Sequence, residues 1–216
     1  MCLLRAARFF AVVVLLLSAA AGATELPPPI DLPKPKLDAP ATLVQALRAR
    51  KSSREFAPAP LPLQTLSDLL WAGCGVNRED GRRTAPSAKN WQEIDVYVVL
   101  REGAYLFDPK AHALRGVVRG DFREATGMQP FVKEAPLNLV FVADLSRMAG
   151  ASGSDRDSYA AADAAFVSQN VYLYSAATGL STVVRGSVDR PALAKALGLK
   201  PDQRIVLAQT VGLPKP

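Results

Sequence analysis

The segment Arg50-Lys51-Ser52-Ser53-Arg54 puts two guanidinium groups and a hydroxyl at alternate positions. It follows an apolar-periodic stretch and precedes Phe56 and a proline-rich run, a setting that favours extended backbone. Side chains of an extended chain alternate with period two, so Arg50, Ser52 and Arg54 are expected on one side. Two guanidinium forks with a hydroxyl between them suit a phosphate in charge and geometry; a solvated basic turn has the same composition. A second polar stretch, Arg82-Arg83-Thr84-Ala85-Pro86-Ser87-Ala88-Lys89-Asn90-Trp91-Gln92, leads into an apolar run at Ile94. Its Ser87 and Asn90 could give donors and acceptors to a planar polar ligand, or the stretch could be an ordinary turn.

Other chemistries are excluded by count. His112 is the one histidine of the 216 residues, and the two cysteines are Cys2 and Cys74. A Cys/His zinc site therefore cannot be assembled, and a Ser-His-Asp hydrolase would rest on His112 alone. Arg5 and Arg8, the apolar run Phe9–Leu17 and the small-residue exit Ala21-Gly22-Ala23 have the layout of a secretory signal peptide. The run is short for a membrane span. Residues 1–23 are thus expected to be removed, giving an exported, periplasmic protein with no remaining membrane anchor. Cys2 leaves with the signal, so Cys74 is left without an intrachain partner and is expected as a small apolar core residue. The remaining chain has 24 basic and 20 acidic side chains. This mild excess is spread out, with no basic run interleaved with aromatics, and points to anionic small ligands rather than nucleic acid.

Several elements must position the two polar segments. Residues 24–40, with prolines at 27, 28, 29, 33, 35 and 40, read as an extended arm or linker. Helices are predicted over 41–50, 63–72, 122–132, 158–178 and 191–197. The Ala-rich fourth suits close packing against another helix; the last is capped by Asp189 and ended by Gly198. Strands are predicted over 94–100, 137–143, 182–184 and 205–211, with a hairpin over 105–118 turning at Asp108-Pro109. The nearly all-apolar 137–143 reads as buried on both faces. Residues 76–90 and 144–157 read as loops. The class is α+β or α/β, with one domain over 41–216.

The motifs in order resemble the nitroreductase superfamily, and more narrowly its SagB/ThcOx-type dehydrogenase branch. Arg50–Phe56 matches an Arg-Arg-Ser-x-Arg-x-Phe opening, and Leu69–Ala72 a Leu-Leu-Trp-Ala block. Arg83–Ala88 matches Arg-Thr-Ala-Pro-Ser-Ala. Gln169-Asn170, Gly179–Thr182 with Arg185-Gly186, and the closing Val211–Pro214 follow in sequence. The resemblance implies an α+β fold, a mixed sheet flanked by helices, in a homodimer with FMN at the interface. It implies that Arg50, Lys51, Ser52 and Arg54 grip the FMN phosphate and ribityl chain. Pro86, Ser87, Ala88 and Asn90 would contact the flavin from the other subunit, and Arg185 and Gly186 would offer backbone N–H groups to the ring. Donors near a reduced flavin stabilise its added negative charge.

The function implied is hydride transfer through FMN to or from a small organic compound, with no side chain assigned as acid or base. Two alternatives stay open: a degenerate flavin-binding or interaction module, and an azoline-type dehydrogenase acting on modified peptides. Azoline-oxidising relatives often carry Tyr-Pro where this chain has Gln92-Glu93, and a terminal basic pair is reduced here to Lys215. Export removes the protein from the NAD(P)H pool and leaves its electron donor open.

Overall fold

The computed structural model describes residues 25–38 and 40–216; the expected signal segment, residues 1–23, lies outside them. The apolar run predicted to be doubly buried forms β5 (Leu137–Asp144), and each residue from Leu137 to Ala143 is buried. On one side β5 pairs with β2 (Ile94–Val99), and on the other with β7 (Gln203–Gly212). Beyond β2 lie β3 (Gly103–Asp108), β4 (Ala113–Arg119) and the two-residue β1 (Ile30–Asp31); beyond β7 lies β6 (Ser181–Arg185).

Every pairing among the described residues is antiparallel, whereas a mixed sheet is the expectation above. The physical reason is the order of the strands. β5 and β6 do run in the same direction, joined by the helix α4 (Gly153–Thr178) as a crossover requires. However, β7 is inserted between them and is antiparallel to both.

Alternation along the central strands sends side chains to two cores. Leu139 and Phe141 of β5, with Val96 and Val98 of β2, pack under α2 (Leu63–Cys74) and α4, meeting Leu66, Leu69, Leu70, Ala164, Val167 and Val171. Val140 and Val142, with Tyr97 and Val99, face the other way onto Leu193 and Leu197 of α5 (Arg190–Leu197). This is the period of strands buried on both faces.

Helix ends follow cap chemistry. α1 (Leu43–Ala49) starts two residues after the predicted position, because Thr42 Oγ1 accepts from Gln45 N–H (3.3 Å) while Gln45 accepts from Thr42 N–H (2.7 Å). α4 begins five residues early, where Ser152 accepts from Asp155 N–H at 3.2 Å, and ends at Gly179, whose φ of 75° is left-handed. The predicted 122–132 helix is instead a 3-10 turn, Arg123–Thr126, and a single-turn α3, Phe131–Glu134. Gly127 separates them and passes so close to Arg185 that a Cβ there would lie 1.9 Å from its Nη1.

Residues 25–38 lie extended along the rest of the chain. Ile30 pairs opposite Leu114, Leu32 is buried, and Lys36 N–H donates to Asp68 Oδ1 at 2.8 Å. Gln64 Nε2 donates to Lys34 O at 3.0 Å. Gly116 is required here, since a Cβ would stand 1.9 Å from the Pro27 carbonyl oxygen. His112 sits at the same junction, its Nε2 2.7 Å from Ser67 Oγ. Among the described residues no helix is long and apolar enough to cross a membrane, and no cluster of His, Cys, Asp and Glu could hold a metal ion.

Candidate functional site

The Arg50–Arg54 segment is extended and lies against the outer edge of β6. Ser53 N–H donates to Thr182 O at 2.9 Å. The tyrosine hydroxyl of Tyr172, on α4, joins the segment to that edge: it stands 2.8 Å from Ser52 Oγ and accepts from Val184 N–H at 2.9 Å. The Arg50 guanidinium lies over the Tyr172 ring, 5.4 Å from its centre, within cation–π range. Arg50 and Ser52 thus both meet Tyr172, while the alternate side chains Lys51, Ser53 and Glu55 turn into an open groove of about 530 Å³ with Ser175 and Lys215.

Lys51, Lys215, Ser53 and Ser175 of this groove suit a phosphorylated anion, and the carboxylate of Glu55 opposes one. Among the described residues no carboxylate forms an ion pair with Arg50, Lys51, Arg54 or Lys215. The Ser175 hydroxyl lines the groove, buried and without a hydrogen-bond partner. Such a buried orphan is uncommon.

At the end of the same strand, Arg185 and Gly186 part ways. The Arg185 side chain is buried and turned inward: it donates to Thr126 O (2.6 Å), Asn138 Oδ1 (2.9 Å) and Thr210 Oγ1 (3.0 Å). No carboxylate joins it, and burial pulls its pKa down to about 10. Thr182 and Val184 turn their backbone groups to the outer edge, so by alternation those of Arg185 face β7, opposite Ala208. Gly186 lies just past the end of β6 and is exposed; its carbonyl accepts from Val188 N–H at 3.1 Å, and a Cβ there would meet open space.

Pro86, Ser87, Ala88 and Asn90 lie elsewhere, on the N-terminal half of α4. Ala88 N–H donates to Asp163 Oδ2 at 2.9 Å, and Trp91 packs edge-on against Tyr159. Asp163 and Tyr172 are nine residues apart on α4, about 13 Å along the axis at 1.5 Å per residue, and the groove and this loop share no lining residue. The loop borders its own hollow of about 410 Å³, lined by Arg78, Arg82, Arg83 and Lys89 with no carboxylate. Lys89, Asn90 and Gln92 have left-handed φ of 49°, 56° and 50°, strain that persists only where the surroundings enforce it. Gln92 N–H donates to Ser87 Oγ at 2.8 Å and Gln92 Nε2 to Gly81 O at 3.2 Å.

Beneath this loop are residues to which no role was assigned from the sequence. Glu93 is fully buried, accepts from Ser87 Oγ at 3.2 Å, and neighbours the buried Asp163. Burial, then the Asp163 carboxyl, raise Glu93 from 4.5 to about 7. Cys74 is close by and is pushed up to about 12 by burial, so it packs as a thiol. Tyr172 was also missed: it lies two residues beyond Gln169-Asn170, inside an Ala-rich helical pattern that reads as packing.

Comparison with known proteins assigns the fold. The Nitroreductase family model matches residues 47–213, and the chain belongs to the nitroreductase family. A nitroreductase-like protein of Methanocaldococcus jannaschii is 33% identical over 155 residues, covering 67% of this chain and 78% of that protein. A nitroreductase-like crystal structure from Ralstonia eutropha is 44% identical, with TM-score 0.84 over 91% of this chain and 93% of the other. An NADPH:FMN oxidoreductase from Vibrio harveyi, solved with NAD+, shares the fold at 20% identity, TM-score 0.61, over 81% of this chain and 69% of that one. The seven-stranded antiparallel sheet with helices on both faces is the nitroreductase fold.

Proposed function

We propose that this protein is an FMN-dependent oxidoreductase that works as a homodimer, passing two electrons as hydride to or from a small organic compound. The observation that carries the reading is the extended Arg50–Arg54 segment, held by Tyr172 along the outer edge of β6 with its cations free of ion pairs among the described residues. The phosphate and ribityl chain would be held from both sides of this segment, by Lys51 from within the groove and by Arg50, Ser52 and Arg54 from the alternate side, where Arg50 and Ser52 meet Tyr172. Exposed backbone at Gly186 would serve the ring in place of the Arg185 N–H, while the Arg185 side chain fixes the strand from within. When bound, FMN supplies the hydride chemistry, and the protein supplies position and hydrogen-bond donors. The Vibrio harveyi NADPH:FMN oxidoreductase, which shares the fold, supports the cofactor.

Two features support the dimer. The Pro86–Asn90 loop is too far along α4 to share the groove within one chain, so a second copy would bring it to the flavin. α1 buries only Ala46 and leaves Leu43, Val44 and Leu47 at 64, 58 and 52% exposure, an apolar face suited to a partner. The motif series favours the SagB/ThcOx-type branch, while Gln92-Glu93 in place of Tyr-Pro points away from azoline substrates. The amino-terminal segment supports export, with an electron donor other than NAD(P)H. The deciding experiment is an absorbance spectrum of purified protein with flavin release and identification. An oxidised-flavin spectrum from stoichiometric FMN is expected; protein that stays colourless after incubation with FMN would refute the reading. Anaerobic addition of NADPH then tests the donor.

A further inference from the structure

Glu93 and Asp163 are two carboxyl groups buried together, 0% and 3% exposed, between α4 and the loop that carries Pro86–Asn90. Each one grips the loop. Asp163 Oδ2 accepts the Ala88 N–H at 2.9 Å and Glu93 Oε2 accepts the Ser87 hydroxyl at 3.2 Å, while Ser87 Oγ in turn accepts the Gln92 N–H at 2.8 Å. Glu93 Oε1 is fully buried and meets no donor. A lone carboxylate oxygen in that position would be costly, but a protonated Glu93 can donate to Asp163 and satisfy both.

We propose that Glu93 and Asp163 share a single proton, and that this proton holds the Pro86–Asn90 loop in its strained shape, making both positioning residues for the flavin that the loop would contact. The inference rests on the flavin reading above. In the shared state the pair carries one negative charge. Losing the proton to solvent leaves two carboxylates side by side, the like-charge arrangement that interiors resist. Water has little room to relieve it. The void beside Asp163 is about 10 Å³, at the lower edge of the roughly 10–15 Å³ that one water needs.

Its lining brings Arg83 and Cys74 as the other titratable groups, with Ala85, Pro86, Ile94 and Val167 as apolar or neutral walls. Arg83 donates from Nη1 to Ile94 O at 2.9 Å and keeps its Nε buried without a partner, so it is the one cation on this lining, and Cys74 is a neutral thiol. From the neighbouring turn Arg147 feels Glu93, but it is paired with Asp95 at 2.8 Å and Asp144 at 3.4 Å. Lys89 lies over Trp91 at the surface. The rise of Glu93 to about 7 agrees with this geometry and places the loss of the proton near neutral pH. Above it, release of the loop residues Lys89, Asn90 and Gln92 from their left-handed backbone would relax the loop away from the flavin.

The test is FMN affinity against pH, by titrating FMN into deflavinated full-length protein and into Glu93→Gln, read by flavin fluorescence. Glutamine keeps the donor that the protonated acid supplies, and it cannot be deprotonated. The wild type is expected to bind FMN at least tenfold more weakly at pH 8.5 than at pH 5.5, and Glu93→Gln to bind nearly equally at both. Titration of the FMN phosphate itself affects both proteins alike and cancels in the comparison. The same pH profile for wild type and Glu93→Gln would overturn the proposal. If neither binds FMN at pH 5.5 the flavin reading fails, and the pair is judged on melting temperature alone. A wild-type melting temperature that falls between about pH 4.5 and 7 while that of Glu93→Gln stays level upholds the shared proton; parallel curves reject it.

Discussion

Removing one oxygen, by Tyr172→Phe, tests how the candidate site is assembled. The hydroxyl is where three elements meet: α4 carries it, Ser52 Oγ stands 2.8 Å away, and Val184 N–H donates to it at 2.9 Å. Phenylalanine keeps the ring, and with it the Arg50 contact at 5.4 Å, so the loss is confined to two neutral hydrogen bonds. Each contributes about 0.5–1.5 kcal/mol net, and the Val184 N–H left without an acceptor adds to the cost unless water reaches it. The strand edge at Val184 is half-buried, so the expected destabilisation is about 2 kcal/mol, measurable by urea denaturation followed through Trp71 and Trp91. The bond to Ser52 is about half of this. If its loss frees the Arg50–Arg54 segment, FMN binding should weaken by roughly fivefold, since about 1.4 kcal/mol corresponds to tenfold. A stability change under about 0.5 kcal/mol together with unaltered FMN affinity would show that the hydroxyl does not join the segment to the strand.

Arg54→Ala should weaken FMN binding by roughly tenfold to a hundredfold, as loss of a charge-assisted contact of about 1.5–3 kcal/mol requires, and leave riboflavin binding nearly unchanged; parallel titrations of both ligands check this. Arg185→Ala should cost about 3–5 kcal/mol of stability, because it strips donors from Thr126 O, Asn138 Oδ1 and Thr210 Oγ1 inside the core; denaturant midpoints measure it. Leu47→Glu should shift the protein toward monomer in sedimentation velocity, with the far-ultraviolet circular dichroism retained. Glu93 has a folded-state pKa raised from 4.5 to about 7, so its contribution is fully present below pH 4.5 and is lost as pH rises to about 7. The loss is at most about 3.4 kcal/mol at 1.36 kcal/mol per unit, and melting temperatures of wild type and Glu93→Gln across this range should diverge accordingly.

Legibility of the sequence followed the range of the forces involved. Strand β5 and helix α5 were readable because apolar period and caps are local: Leu137–Ala143 has no polar residue but Asn138, and Asp189 and Gly198 mark their helix directly. The break at Gly127 was not, since it is imposed by Arg185, 58 residues later in the chain and filling the space a side chain would need. α1 looked like a core helix from Leu43, Ala46 and Leu47, yet within one chain only Ala46 is buried; periodicity marks an apolar stripe, not what covers it. The alternation of Arg50, Ser52 and Arg54 follows from extended backbone alone. What anchors them, Tyr172, comes from a helix more than 100 residues away and carries no local signal. Glu93 and Asp163 were hidden for the same reason: each is an ordinary acidic residue until the fold puts them side by side out of water.

The short strand β1 has a consequence for how the chain is made. Its pairing of Ile30 with Leu114 joins residues 84 apart, so these residues leave the ribosome well before β4 and wait for it before they have this partner. Closing so long a loop is slow relative to the local hairpin of β3 and β4. Until the arm docks, the outer edge of β4 is an open template for other chains. Once in place, its prolines at 27, 28, 29 and 33 offer no N–H to a further strand. The arm is therefore synthesised before its partner strand and fitted after it, as a stop on the open edge of the sheet. Removing residues 25–38 would leave Arg50–Arg54 and Pro86–Asn90 in place and yet remove that stop.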